Sequence, residues 1–187
     1  MAEGLQDLIV NALYKDSLGY IWIGTASSLE RFDGVHLKSF PIPEEGKRKD
    51  VNTIIEMPGH ELWMGNRTGL WKVNGEKLLR VAADTIRSGV YSLCSDGKGT
   101  LYIGSESGLF IYNSKGVERI LLDPNVLSGA NFIMGMALDD RDILWVITRK
   151  GLYSVVLSGK SILFHPCLMN GQVYEDGYNL SLIHISE

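Results

Sequence analysis

A segment centred on an aromatic residue returns along this chain at a nearly constant interval, and that recurrence limits the fold more than any other feature. It reads YIWIGT around Trp22, ELWMGN around Trp63, TLYIGS around Tyr102 and ILWVIT around Trp145, at spacings of 41, 39 and 43 residues. Two positions after the aromatic stand Gly24, Gly65 and Gly104, a series that Ile147 breaks. Three positions after it come Thr25, Asn66, Ser105 and Thr148, each able to hydrogen-bond through a short side chain. Seven positions after it there is always a leucine, Leu29, Leu70, Leu109 or Leu152, preceded by Ser28, Gly69, Gly108 or Gly151. A frame repeated at this period marks a unit of architecture.

Each copy reads as four short strands rich in β-branched and aromatic residues. The first gives VNALYKD, YIWIGT, LERFD and HLKSF. Between them lie turn clusters such as Asp16-Ser17-Leu18-Gly19 and Asp96-Gly97-Lys98-Gly99, and the hairpin dipeptides Asp33-Gly34 and Asn74-Gly75. Gly69, Gly108 and Gly151 are read as the left-handed residue closing a three-residue loop, and Ser28 sets the first copy's loop apart. Four-stranded antiparallel units of about 40 residues are the signature of propeller blades. The fold expected is therefore all-β, with about four consecutive blades at 8–40, 50–81, 90–121 and 132–165. A stacked β-solenoid is the weaker alternative, since its repeats are usually shorter and are not built of Asp-Gly hairpins. The aromatic of the second strand should fill the gap between neighbouring sheets. The glycine two residues on should give that ring, or a neighbouring backbone, room.

Propellers hold 4–8 blades, so the four copies read as part of a larger ring. Residues 166–187 are read as a linker and the start of a fifth blade in YEDGYNLSLI. The closing LSLIHISE resembles translated sequencing-adapter sequence, in which case those residues, His184 among them, say nothing of function.

The repeat D-x-x-G-x-[IL]-W-[IM]-G-[TN]-x-x-[GS]-L resembles the two-component regulator propeller repeat. It stands here as DSLGYIWIGTASSLERFDG and, less completely, as GHELWMGNRTGLWKVNG. The likeness runs from residue 5 to about 165 and weakens in the fourth copy, where WVIT replaces WIGT. Such repeats build the extracytoplasmic sensor regions of hybrid histidine kinases of Bacteroidetes-like bacteria. The resemblance implies a seven-bladed parent ring, a periplasmic location and a role in sensing an extracellular small molecule or oligosaccharide. It implies as partners a second propeller and downstream domains of the same parent, with a homodimer of that parent also in view. The motif sets blade geometry and is silent on the ligand.

The residues themselves point to binding rather than chemistry. A net charge of −4 argues against a nucleic-acid surface, which needs clustered cations. Lys47-Arg48-Lys49 lies beside Glu44 and Glu45 and reads as a solvated loop. No apolar run approaches the ~18–20 residues of a membrane span, so no membrane contact is expected. The opening MAEGLQDLIV lacks a signal-peptide pattern. Cys94 and Cys167 read as free structural thiols. His36, His60, His165 and His184 have no metal-ligand spacing, and Asp139, Asp140 and Asp142 form a hairpin turn rather than a calcium loop. No cofactor, metal or catalytic residue is expected. A propeller lyase or glycosidase, or a free-standing adhesive module, is the alternative, since propeller enzymes assemble their groups from separate blades.

Position supplies the site expectation. The loops after the aromatic strands should share one end of the propeller with the blade-to-blade linkers. Their tips are Ala26-Ser27, Arg67-Thr68, Glu106-Ser107 and Arg149-Lys150. They vary in charge on a fixed frame, as a recognition surface does. Arg67, Thr68, Glu106, Ser107, Arg149 and Lys150 are therefore the candidate ligand-binding residues.

Overall fold

A computed structural model of the chain describes residues 4–43, 49–156, 161–165, 167–169 and 172–174. The basic loop at 47–48 and the residues from 175 on, including His184 and most of the segment read as a fifth blade, lie outside the described residues. The first blade is β1 (Val10–Lys15), β2 (Ile21–Thr25), β3 (Leu29–Phe32) and β4 (Leu37–Phe40). The second is β5 (Val51–Met57), β6 (Glu61–Asn66), β7 (Gly69–Asn74) and β8 (Lys77–Val81). The third is β9 (Val90–Ser95), β10 (Leu101–Ser105), β11 (Gly108–Asn113) and β12 (Gly116–Ile120). The fourth is β13 (Ile133–Leu138), β14 (Ile143–Thr148), β15 (Gly151–Val156) and β16 (Ser161–His165).

Within each sheet the strands pair antiparallel in chain order, which makes every sheet a four-stranded meander. A two-stranded hairpin, Cys167–Met169 with Gln172–Tyr174, follows. The one helical element among the described residues is a single 3-10 turn at Gly129–Asn131. The first strands β1, β5, β9 and β13 pack against one another in sequence, which makes them the inner strands.

The repeat register is the same in all four sheets. Trp22, Trp63, Tyr102 and Trp145 lie opposite Tyr14, Ile55, Cys94 and Ala137 on the first strand. Trp22, Trp63 and Tyr102 are buried at 4%, 3% and 6% exposure, each in an apolar cluster that joins its blade to the next. Trp22 lies 5.0 Å from the Phe40 ring and Trp63 lies 5.1 Å from Tyr112 of the following blade. Trp145, on the outer face of the fourth blade, is half-buried against His165.

The glycines two residues on serve a purpose other than the one read from sequence. A Cβ on Gly24 would stand 2.6 Å from Val51 Cγ1, and one on Gly104 would stand 2.5 Å from Ile133 Cγ2; Gly65 meets Val90 in the same way. The room is made for the leading β-branched side chain of the next blade, not for a ring or a backbone. Val51, Val90 and Ile133 are fully buried in these sockets.

The tip loops also correct the sequence reading. Asn66 pairs with Gly69, Ser105 with Gly108 and Thr148 with Gly151, so each loop holds two residues and the glycine begins the third strand. Its φ of 140°, 135° or 133° still demands glycine. In the first blade pairing stops at Gly24 and Leu29, and Ser28, absent from the positive-φ residues, bonds instead to Thr25 and Glu30.

The tryptophans differ in how their N–H groups are satisfied. Trp22 Nε1 donates to Asp16 Oδ2 at 2.7 Å, and Trp145 Nε1 donates to Asp139 Oδ2 at 3.1 Å. Six residues before Trp63 stands Met57, and among the described residues Trp63 Nε1 is buried without a partner. Trp22→Phe strands a buried Asp16 oxygen, a loss of about 1–3 kcal/mol, whereas Trp63→Phe deletes an orphaned donor and should cost clearly less. Urea unfolding of the two variants measures the gap, and equal midpoint shifts would contradict this account.

Candidate functional site

The short polar residue closing each second strand builds the tips. Thr25, Asn66, Ser105 and Thr148 are all fully buried, where an unbonded polar group is costly. Thr25, Ser105 and Thr148 donate through their hydroxyls to the carbonyls of Ser28, Gly108 and Gly151. Asn66 Oδ1 accepts from Thr68 N, Gly69 N and Trp71 Nε1. The loop tips are thereby held while their outward side chains stay free to vary.

Backbone bonds then tie the tips to the chain entering the same blade. Ala26 N donates to Ile9 O, Glu106 N to Gly89 O, and Arg149 N to Phe132 O, at 3.0–3.2 Å. Tips and linkers therefore share one end of the molecule, as their positions in the repeat imply. The β1–β2 type turns lie at the other end, where Ser17 reaches across to the second blade. Its amide and hydroxyl donate to Glu56 at 2.8 and 2.6 Å, beside His60. A cleft of about 200 Å³ opens there between the first two blades, lined by Tyr20, Arg31, Phe40 and His60 among others.

At the tip end the candidate residues are engaged in different ways. Arg67 Nε lies 2.7 Å from Asp50 Oδ2. Thr68 donates to Asn66, and its carbonyl accepts from Arg80. Ser107 Oγ lies 2.7 Å from Ser88 Oγ, and its carbonyl accepts from Arg119. Glu106 Oε1 accepts the Tyr91 hydroxyl at 2.7 Å. The Arg149 Cζ lies over Phe132, 3.7 Å from the ring centroid, and Lys150 Nζ is 3.9 Å from Asp123. The Tyr91 and Phe132 rings are 5.2 Å apart.

Gly89 is the point of convergence between blades. A Cβ there would meet Glu106 Oε1, Tyr91 Cε2 and Arg67 Cα at 3.2–3.3 Å. Arg67, Tyr91, Glu106, Phe132 and Arg149 thus form one continuous polar and aromatic surface across three blades. Thr68 and Ser107 lie at its edge as supports of the loop frame. Lys150 lies beside Asp123 at the fourth blade's linker.

Sequence reasoning missed Asp50, Tyr91 and Phe132, because the first-strand entrance carries a different residue type in each blade. Their signal was positional, each being adjacent to the β-branched residue that leads its blade.

This surface offers stacking faces and charge-assisted donors and acceptors together, a combination suited to polar rings bearing hydroxyls or carboxylates. Of the two tip arginines, Arg149 is the less committed to a carboxylate. Among the described residues no carboxylate stands within ion-pair distance of it, whereas Arg67 is already held by Asp50. Burial, reinforced by the hydrogen bond to Glu106 and its charge, pushes the Tyr91 hydroxyl up to about 12. Tyr91 is therefore a hydrogen-bonding group rather than a base at neutral pH.

Comparison with known proteins bears on the repeat and the fold. Residues 4–27, the entry and second strand of the first blade, match the family model described as two component regulator propeller. The chain thus carries a repeat of the kind its motif resembles. No curated protein matches the sequence. The structure is similar to the extracellular domain of a hybrid two component system from B. thetaiotaomicron, with TM-score 0.70 and 18% identity. That match covers 83% of this chain and 24% of the other. It is also similar to virginiamycin B lyase from Staphylococcus aureus, with TM-score 0.66, 14% identity and 84% and 55% coverage. PorZ, a surface component of the type-IX secretion system of Porphyromonas gingivalis, matches with TM-score 0.64, 17% identity and 87% and 29% coverage. These likenesses establish the propeller fold. The chain spans about a quarter of the length of the two component extracellular domain it resembles.

The Tyr91–Glu106 pair carries a pH signature. Its folded value lies above the ordinary tyrosine value of 10, so the protonated phenol is favoured by folding. That contribution is complete below about pH 10 and is lost as pH climbs through about 12. In phenolate absorbance titrations, the difference between the parent chain and Tyr91→Phe should appear only near pH 12 and move down in Glu106→Gln. A difference appearing at pH 10 would contradict the pairing.

Proposed function

We propose that this chain is part of the ligand-sensing propeller region of a two-component, hybrid sensor histidine kinase, acting on the periplasmic side of the membrane. The observation that carries this reading is the match of residues 4–27 to the two component regulator propeller. The likeness to an extracellular domain of a hybrid two component system supports it. The ligand we propose is an oligosaccharide, received at the tip end. There Tyr91 supplies a ring for sugar C–H groups, while Glu106 and Arg149, the latter carried over the Phe132 ring, supply an acceptor and a forked donor. A second propeller and downstream domains of the same parent would convert occupancy into a signal, alone or within a homodimer. Among the described residues, no helix is long and apolar enough to cross a membrane.

The tip surface is proposed as a binding surface without turnover. Arg67 is engaged by Asp50, Glu106 accepts the Tyr91 hydroxyl, and Arg149 lies over the Phe132 ring, contacts that suit binding and orientation. The lyase likeness keeps a second reading alive, namely a propeller enzyme whose groups come from several blades. Calorimetry on the parent's extracytoplasmic region with an oligosaccharide panel, followed by product analysis, separates the two. The sensor reading expects saturable binding with every sugar recovered intact, and about tenfold weaker binding in Arg149→Ala, equivalent to about 1.4 kcal/mol. Cleaved or eliminated products would overturn it.

A further inference from the structure

The fourth blade breaks the joint that unites the other three. Where Gly24, Gly65 and Gly104 leave a socket, it carries Ile147, and Ile147 lies opposite Gly135 on the first strand. The corresponding pairs are Ala12 with Gly24, Thr53 with Gly65, and Ser92 with Gly104. Bulk has moved across the strand pair, with Ile147 Cδ1 3.6 Å from where a Gly135 Cβ would stand. Because Ile147 and Trp145 lie two residues apart on one strand, they share the outer face of this blade. At the opposite end of the array, Val10 holds the position of Val51, Val90 and Ile133 but is 41% exposed, where those three are fully buried.

We propose that Ile147 makes the outer face of the fourth blade selective for a sheet whose leading first-strand residue is small: glycine, alanine or serine. The same side chain rejects a β-branched lead, and so rejects the first blade of this chain and of any second copy. The three joints within the molecule supply the argument. In each, even a Cβ on the glycine would press well inside van der Waals contact of the β-branched lead, so a whole isoleucine cannot share that space. Among the described residues, apolar surface remains at both ends of the array, since Ile9, Val10 and Leu13 are exposed and Trp145 is half-buried. Open faces of this kind invite head-to-tail pairing of copies. Ile147 is the obstacle to it.

Sedimentation velocity on the 187-residue chain tests the proposal through three substitutions. Ile147→Gly reopens the socket and should bring head-to-tail association at about tenfold lower concentration than the parent chain, a gap of about 1.4 kcal/mol. Ile147→Ala removes nearly as much side chain but keeps the Cβ, and should sediment like the parent. Val10→Gly removes the knob without touching the fourth blade and should promote association as well, which keeps the test valid if the Ile147 variants unfold. Association of the parent chain into a discrete head-to-tail dimer would overturn the proposal. So would an Ile147→Ala as competent as Ile147→Gly, or indifference of both glycine variants.

Discussion

The contact on which the rest of this structure depends is a β-branched side chain seated where a glycine has no side chain. A four-stranded meander has two faces and cannot bury either by itself. Close approach to the next sheet is what turns four separate meanders into a stack with a continuous core. Glycine in mid-strand is intrinsically unfavourable, and here it is kept because the neighbouring valine or isoleucine occupies its side-chain space. Trp22, Trp63 and Tyr102, on the same face two residues away, then fill the wider gap toward the outer strands.

The same joint shapes the surface proposed above for recognition. The residues just before the seated side chains are Asp50, Gly89 and Phe132. Seating Val51, Val90 and Ile133 therefore places each blade entrance against its own loop tip. The tip is in turn held by a buried hydroxyl or amide, so both borders of the surface are rigid while the side chains between them vary. Such a surface is pre-organised, which lowers the ordering cost of binding. At the opposite end the Ser17–Glu56–His60 contacts pin the first two blades together. His60 holds a φ of 62° there, uncommon for a residue with a side chain.

Most of the frame was legible because a repeat states each structural requirement several times. The aromatic, the glycine, the short polar residue and the leucine recur since the first three blades need the same core filler, socket, loop anchor and buried third-strand leucine. The role of the glycine was not legible, because its partner lies about a quarter of a hundred residues further on in the next copy. A signal existed: Val10, Val51, Val90 and Ile133 each stand twelve residues before the repeat aromatic. The orphaned N–H of Trp63 is likewise foreshadowed by Met57, where the other copies carry Asp16, Asp96 and Asp139. The tip surface was half legible. Arg67, Glu106 and Arg149 stand out as variation on a fixed frame, whereas Tyr91 and Phe132 join them only through tertiary contact. That Arg67 is committed to Asp50 while Arg149 rests on a ring is a fact of packing, and no local pattern announces it.

The socket account is tested most directly at Gly65. This glycine is absent from the positive-φ residues, so on backbone grounds alone an alanine there should stabilise the fold by about 0.4–1 kcal/mol. The socket reverses the sign, because a Cβ would press into Val90 and Thr53. Denaturant unfolding of Gly65→Ala should show a loss of about 1–3 kcal/mol, the usual cost of overpacking a filled core, and Gly65→Ala should cost less when introduced beside Val90→Ala than into the parent chain. An unchanged or raised stability in the single variant would contradict the account.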